Sequence, residues 1–120
     1  MNMNLNAHID AELSATQLAE LADRLMDKRR ELSERVITLE QQVTTKDDCS
    51  LADAADAASL QETRLRAQAM AEQHRHLIGE IDAAFRRLET GNYGVSETTG
   101  EPIAYERLSL IPWARTGADN

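Results

Sequence analysis

Helix-breaking residues are confined to one end of this chain, and that confinement limits its possible folds more than any other feature. Both prolines, Pro102 and Pro112, and four of the five glycines, Gly91, Gly94, Gly100 and Gly117, fall in the last 30 residues. Only Gly79 interrupts the first 90. Long helices followed by a small turn-rich end suit this distribution. Aromatic residues are Phe85, Tyr93, Tyr105 and Trp113, 3% of the total. That is too little aromatic mass for a sandwich or barrel. At 120 residues the chain has room for one ordinary domain.

The first helix is expected to begin near Ser14, because Ser14-Ala-Thr-Gln17 is a capping-box pattern. Leu18, Leu21, Leu25, Leu32, Val36, Leu39 and Val43 then recur at mostly helical steps, with Lys28 interrupting the stripe. The helix is expected to fade at Thr44-Thr45-Lys46. Thr44 to Ser50 reads as a turn, and Ser50 can cap a second helix, with Asp53 suited to its positive end. On that helix Leu60, Thr63, Ala67, Met70, His74, Leu77, Ile81, Ala84 and Leu88 alternate at steps of three and four, a heptad seam. It stops at Glu89-Thr90-Gly91-Asn92, where Gly91 offers a left-handed cap. Two such helices, each about 50 Å long, pair most simply as an antiparallel hairpin. A hairpin that long has a thin core, and works as a rod presenting its tip or as half of an oligomer.

The last 30 residues read as a compact module. Turn signals at Asn92–Val95 and Thr98–Glu101 flank a tight hairpin. Pro102 suits the first turn of a short helix running to about Leu110, and Pro112 ends it. Tyr93, Val95, Ile103, Tyr105, Leu108, Leu110, Ile111 and Trp113 are expected to pack on Leu88, Phe85 and Ile81, with Trp113 as the anchor. The expected divisions are an N-terminal segment 1–13, a hairpin 14–90 with its tip at 44–58, and the module 91–120.

Charge narrows the function classes. Thirteen basic residues against 21 acidic ones give a net charge of −8. This argues against a broad basic nucleic-acid surface and against polybasic membrane attachment. No apolar run is long enough to span a bilayer. The start, Met1-Asn-Met-Asn-Leu-Asn, lacks the basic and apolar regions of a signal peptide, so a soluble cytoplasmic protein is expected. One cysteine, Cys49, allows no internal disulfide and no multi-cysteine metal site. Asp47 and Asp48 disfavour its thiolate, so it reads as inert.

The segment from Leu88 through Gly91-Asn-Tyr93-Gly94 and Gly100-Glu-Pro102-Ile103 to Leu108 resembles the zinc-finger region of the DksA/TraR family, bacterial regulators that bind RNA polymerase. Asp53-Ala-Ala-Asp56-Ala-Ala58 is similar to the family's Asp-x-x-Asp-x-Ala motif at its coiled-coil tip, and the tip-to-finger distance matches without a gap. The resemblance spans about residues 14 to 116. It implies an all-α fold: a long antiparallel two-helix coiled-coil hairpin plus a small finger-like module with a short helix. It also implies a monomer whose partner is RNA polymerase, reached through the secondary channel. Asp53 and Asp56 would act near the catalytic centre without being catalysts, and Ala58 would keep the tip slim. Promoter open-complex stability would change without sequence-specific contact to nucleic acid.

Departures from the family pattern matter as much. Ser96 and Thr99 stand where it has its first cysteine pair, and Gly117 and Asn120 where the second falls. Hydroxyls and a glycine do not replace thiolates at structural zinc, and His8, His74 and His76 are not spaced to rescue the site. Neither metal nor other cofactor is expected, and the module must hold by packing. Glu80 and Ile111 occupy places where members that respond to the alarmone ppGpp resemble one another in basic residues, so synergy with ppGpp is not expected. On the residues alone, Asp53 and Asp56 are also ordinary first-turn acids, and the seam also suits a dimerising adaptor without polymerase function. No nucleophile–base pair suggests an enzyme.

Overall fold

The computed structural model describes the backbone of residues 5–44 and 54–117 and the side chains of residues 5–43 and 57–117. Three helices follow in order: α1 (Ala15–Thr44), α2 (Ala54–Thr90) and α3 (Tyr105–Leu110). Among the described residues there are no strands, only isolated bridges pairing Ala7 with Tyr93 in parallel and Val95 with Pro102 antiparallel. The fold is the all-α helical hairpin with a small C-terminal module that the sequence implies.

Local chemistry sets the helix ends. The Ser14 N–H donates to Gln17 Oε1 at 3.0 Å, and the Gln17 N–H donates to Ser14 Oγ at 3.1 Å. This reciprocal box satisfies two of the N-terminal donors a helix leaves open. At the end of α2, Gly91 adopts φ 79°, and the Asn92 N–H donates to the Arg87 carbonyl at 2.9 Å. That is the six-to-one bond of a Schellman cap.

The chain forms two compact units, Met1–Arg29 with Gly79–Asn120, and Arg30–Ile78. In the first, Leu18, Leu21 and Leu25 of α1 and Ile81, Ala84 and Leu88 of α2 are buried, as are Tyr93, Ile103 and Leu108 of the module. Each large side chain withdrawn from water contributes about 1.5–3 kcal/mol. Beside this core Arg29 Nε donates to Asp82 Oδ1 at 2.7 Å, a bond that raises the Arg29 pKa.

The expectations for Trp113, Leu110 and Pro102 in this unit are overturned. Tyr93, at 0% exposure, is the anchor, and its hydroxyl donates to the Pro112 carbonyl at 2.6 Å. Trp113 is only half-buried, and Leu110 is 81% exposed. Two residues of helix rotate a side chain by about 200°, so burying Leu108 turns Leu110 outward. Pro102 does not open α3; it pairs with Val95, three residues before the helix begins. In addition, residues of the N-terminal segment 1–13 are docked on the module. The Asn6 N–H donates to the Leu88 carbonyl at 2.9 Å, and the His8 N–H to the Tyr93 carbonyl at 2.7 Å.

In the second unit Leu32 and Val36 of α1 are buried, as are Ala67 and Ala71 of α2. The seam on this half of α2 is shifted from the expected one. Thr63 is exposed and Met70 is 43% exposed, while Ala71 is 2% exposed. Leu60, Arg64, Ala67, Ala71 and His74 form the less exposed row. With so few large apolar residues here, hydrophobicity does not separate two neighbouring registers. Small alanines let the backbones approach, and the long Arg64 stem can cover apolar surface. Arg75 bonds Glu40 beside the row.

Candidate functional site

Of the residues expected at the tip, Asp53, Asp56 and Ala58, the structure describes only some. Asp53 lies outside the described residues, as do Cys49, Asn120 and the expected Ser50 cap. The backbone of Asp56 is in the first turn of α2, and its side chain also lies outside them. Ala58 is exposed, flanked by exposed Ala57 and Ser59, so this stretch of helix carries only small side chains.

The module is described in full atomic detail around three of the four positions expected to have lost zinc ligands. Ser96 is 3% exposed. Its Oγ accepts the N–H groups of Thr98 at 3.2 Å and Thr99 at 3.3 Å, and shares a 3.0 Å bond with Thr98 Oγ1. The Gly100 N–H donates to the Ser96 carbonyl at 2.9 Å, with Gly100 at φ 76°. A hydroxyl-closed turn thus stands where a first thiolate pair would sit. Thr99 is exposed, and its hydroxyl accepts the Glu101 N–H at 3.2 Å. Gly117 has no side chain to offer. These groups do not fit structural zinc, which takes four thiolate or imidazole ligands. Among the described residues no group of three or more His, Cys, Asp or Glu converges in a way that could hold a metal.

Arginines tie the module together instead. Arg115 Nε donates to Glu80 Oε1 at 2.8 Å and Nη2 to Oε2 at 3.1 Å, a two-pronged pair, while Nη1 reaches Glu97 at 3.3 Å. The bond to Glu80 is the main reason the Arg115 pKa is raised. The Glu97 N–H donates to the Arg115 carbonyl at 2.8 Å, joining the two turns through the backbone as well. Arg87 is more buried; its Nη2 donates to the Trp113 carbonyl at 3.2 Å, and burial lowers its pKa. Arg107 Nε donates to the Thr116 carbonyl at 2.9 Å. Isolated surface pairs contribute about 0–1 kcal/mol, but the forked Arg115–Glu80 pair fixes its geometry better than a single contact would.

The docked N-terminal segment closes over the module. A Cβ at Gly94, where φ is 97°, would lie 2.7 Å from Ala11 Cβ and 3.1 Å from Leu13 Cδ1. Sequence reasoning missed both this contact and the arginine ties. Their partners lie 9 to 83 residues apart, with no local pattern joining them. The glycine itself stood in plain view.

Glu80 was singled out because it replaces an expected cation. It is not a spare carboxylate but the partner of Arg115. Ile111 N–H closes α3 by donating to the Arg107 carbonyl at 2.8 Å.

This geometry has counterparts. No protein-family model matches the chain. It is similar to general stress protein 16O of Bacillus subtilis, 33% identical over 108 residues, covering 86% of this chain and 65% of that protein. The RNA polymerase-binding transcription factor DksA of Caulobacter vibrioides is 46% identical over 63 residues, 52% of this chain and 44% of that factor. The chain therefore spans less than two thirds of either curated relative. The solved structure of transcription factor DksA2 from Pseudomonas aeruginosa superposes with a TM-score of 0.72 at 32% identity, covering 88% of this chain and 81% of that one. With fold and sequence agreeing over most of its length, the chain belongs to the DksA-like family.

Proposed function

We propose that this protein is a cytoplasmic transcription regulator that binds RNA polymerase through the secondary channel and alters the lifetime of promoter open complexes. The observation that carries this reading is the sequence Asp53-Ala-Ala-Asp56-Ala-Ala58, in a chain 46% identical over 63 residues to a factor named for polymerase binding. In this reading residues 44–58 are the tip, and Asp53 and Asp56 bring two carboxylates towards the polymerase centre. Ala58 keeps the helix narrow there. The protein regulates and does not catalyse. Among the described residues no helix is long and apolar enough to cross a membrane.

Titration of the purified chain against its cognate polymerase tests the reading. Saturable binding at micromolar concentrations or tighter is expected; no binding well above micromolar overturns it. Synergy with ppGpp is not expected, because the Glu80 carboxylate would face the polyphosphate and is already engaged by Arg115. Adding the nucleotide to a transcription assay checks this, and a several-fold stronger effect would contradict it.

A dimerising adaptor is the second reading. Ile37 at 56%, Leu65 at 54% and Met70 at 43% exposure favour it, since a partner helix would cover them. Mass measured across a dilution series separates the two: the regulator reading expects a monomer throughout.

A further inference from the structure

We propose that Gly79 is a hinge in α2, at which the helix bends so that the unit Arg30–Ile78 changes its orientation against the rest of the chain. Two independent observations meet at this residue.

The first is the glycine itself. Gly79 lies inside α2, well before the end of that helix at Thr90. It does not adopt the positive φ of Gly91, Gly94 and Gly100. A Cβ added to it would meet nothing within 4 Å. Neither backbone geometry nor close packing therefore calls for glycine here, and alanine would suit the helix better. A glycine at such a position weakens the helix locally, because ordering it costs more backbone entropy and its peptide groups stay open to water. Hinges are often built on small residues of this kind.

The second observation is a break in the core at the same level. Buried residues on α1 stop at Leu25 and resume at Leu32. On α2 they stop at Ala71 and resume at Ile81, with Leu77 and Ile78 only half-buried between. The boundary between the two compact units falls inside both gaps, after Arg29 on α1 and before Gly79 on α2. A stretch with few buried contacts opens at lower cost than the core on either side. Each unit has its own ion pair joining α1 to α2, Arg29 with Asp82 in the first and Glu40 with Arg75 in the second. Each is thus tied within itself, and bending concentrates at the level between. The α1 helix has no glycine there and follows by gentle curvature, as long helices do. Residues 44–58 fall within Arg30–Ile78, so in the polymerase-binding reading the hinge sets the angle of the tip. The hinge itself does not depend on that reading.

Distances between two spin labels test this in the full chain, with wild-type Gly79 or with Gly79→Ala. Gln61→Cys and Glu106→Cys carry the labels in a Cys49→Ser background; both labelled positions are exposed, one in each unit. With glycine a broad distance distribution is expected, and with Gly79→Ala one about half as wide. Amide exchange at residues 79–83, whose N–H groups bond across the glycine, is expected to slow about 5-fold in the variant. Exchange at Leu108, in the module core, is expected to stay the same. Equal distribution widths overturn the hinge. So does a lower melting temperature for Gly79→Ala, which would show that packing requires the glycine.

Discussion

Tyr93 stabilises the module through its ring and through one buried hydrogen bond, to the Pro112 carbonyl. Tyr93→Phe keeps the ring and removes the donor, and is expected to cost about 1–2 kcal/mol in chemical denaturation. It is also expected to change the alkaline limb. Burial holds the Tyr93 phenol above its ordinary pKa, so the fold keeps the neutral form while the unfolded chain ionises near pH 10. This contribution is complete below about pH 10 and is lost as pH rises towards the folded value, by up to about 1.4 kcal/mol per pH unit. The variant is therefore expected to lose less stability than the wild type between about pH 9 and pH 12. Tyr105 is shifted the same way by its bond to Glu20, but it is solvent-exposed and adds little. Glycines give a second comparison. Gly94→Ala meets both a positive φ and a Cβ 2.7 Å from Ala11, whereas Gly100→Ala meets positive φ with open space. Gly100→Ala is expected to cost about 1 kcal/mol and Gly94→Ala clearly more, because the docked segment must shift. From sequence the anchor had been assigned to Trp113, the larger ring. Size alone could not show that Tyr93 has a carbonyl within reach inside the core.

At the scale of elements, the capping box is the clearest case of structure legible in sequence. Ser14 and Gln17 announce the start of α1, and both bonds are present. Ser14→Ala is expected to lower stability by about 1 kcal/mol, read by urea unfolding. The leucine stripe of α1 and the Gly91 stop were legible for the same reason: each is decided within a few residues. The early half of α2 was not. Its inward row runs through Ala67 and Ala71, where side-chain size gives no contrast between registers. The N-terminal segment was illegible too, because backbone bonds from Asn6 and His8 to Leu88 and Tyr93 do not depend on side-chain identity. Removing residues 1–12, which spares the Ser14 cap, is expected to lower the melting temperature and increase hydrogen exchange at Tyr93 and Ile103. Unchanged exchange would show that the segment adds nothing to the module.

For the whole molecule, metal independence is a direct expectation. Ser96 closes its turn with its own hydroxyl, and Arg115 joins Glu80 and Glu97. Excess chelator is therefore expected to leave the melting temperature where it was, and a drop of several degrees would reveal a bound ion. The absence of cysteines at Ser96, Thr99, Gly117 and Asn120 is read directly from the sequence, but the network around Ser96 and Arg115 was not legible there, since Arg115 and its carboxylate partners are distant in sequence. The proposed function rests on Asp53, Asp56 and Ala58, which the family resemblance singled out. The most direct test is the lifetime of open complexes formed by the cognate polymerase at a sensitive promoter, with wild-type protein or Asp56→Asn. The wild type is expected to shorten that lifetime and the variant, bound with similar affinity, to lose most of the effect. Equal shortening by both would contradict a role for Asp56 at the tip, and no change with either would contradict regulation through the polymerase altogether.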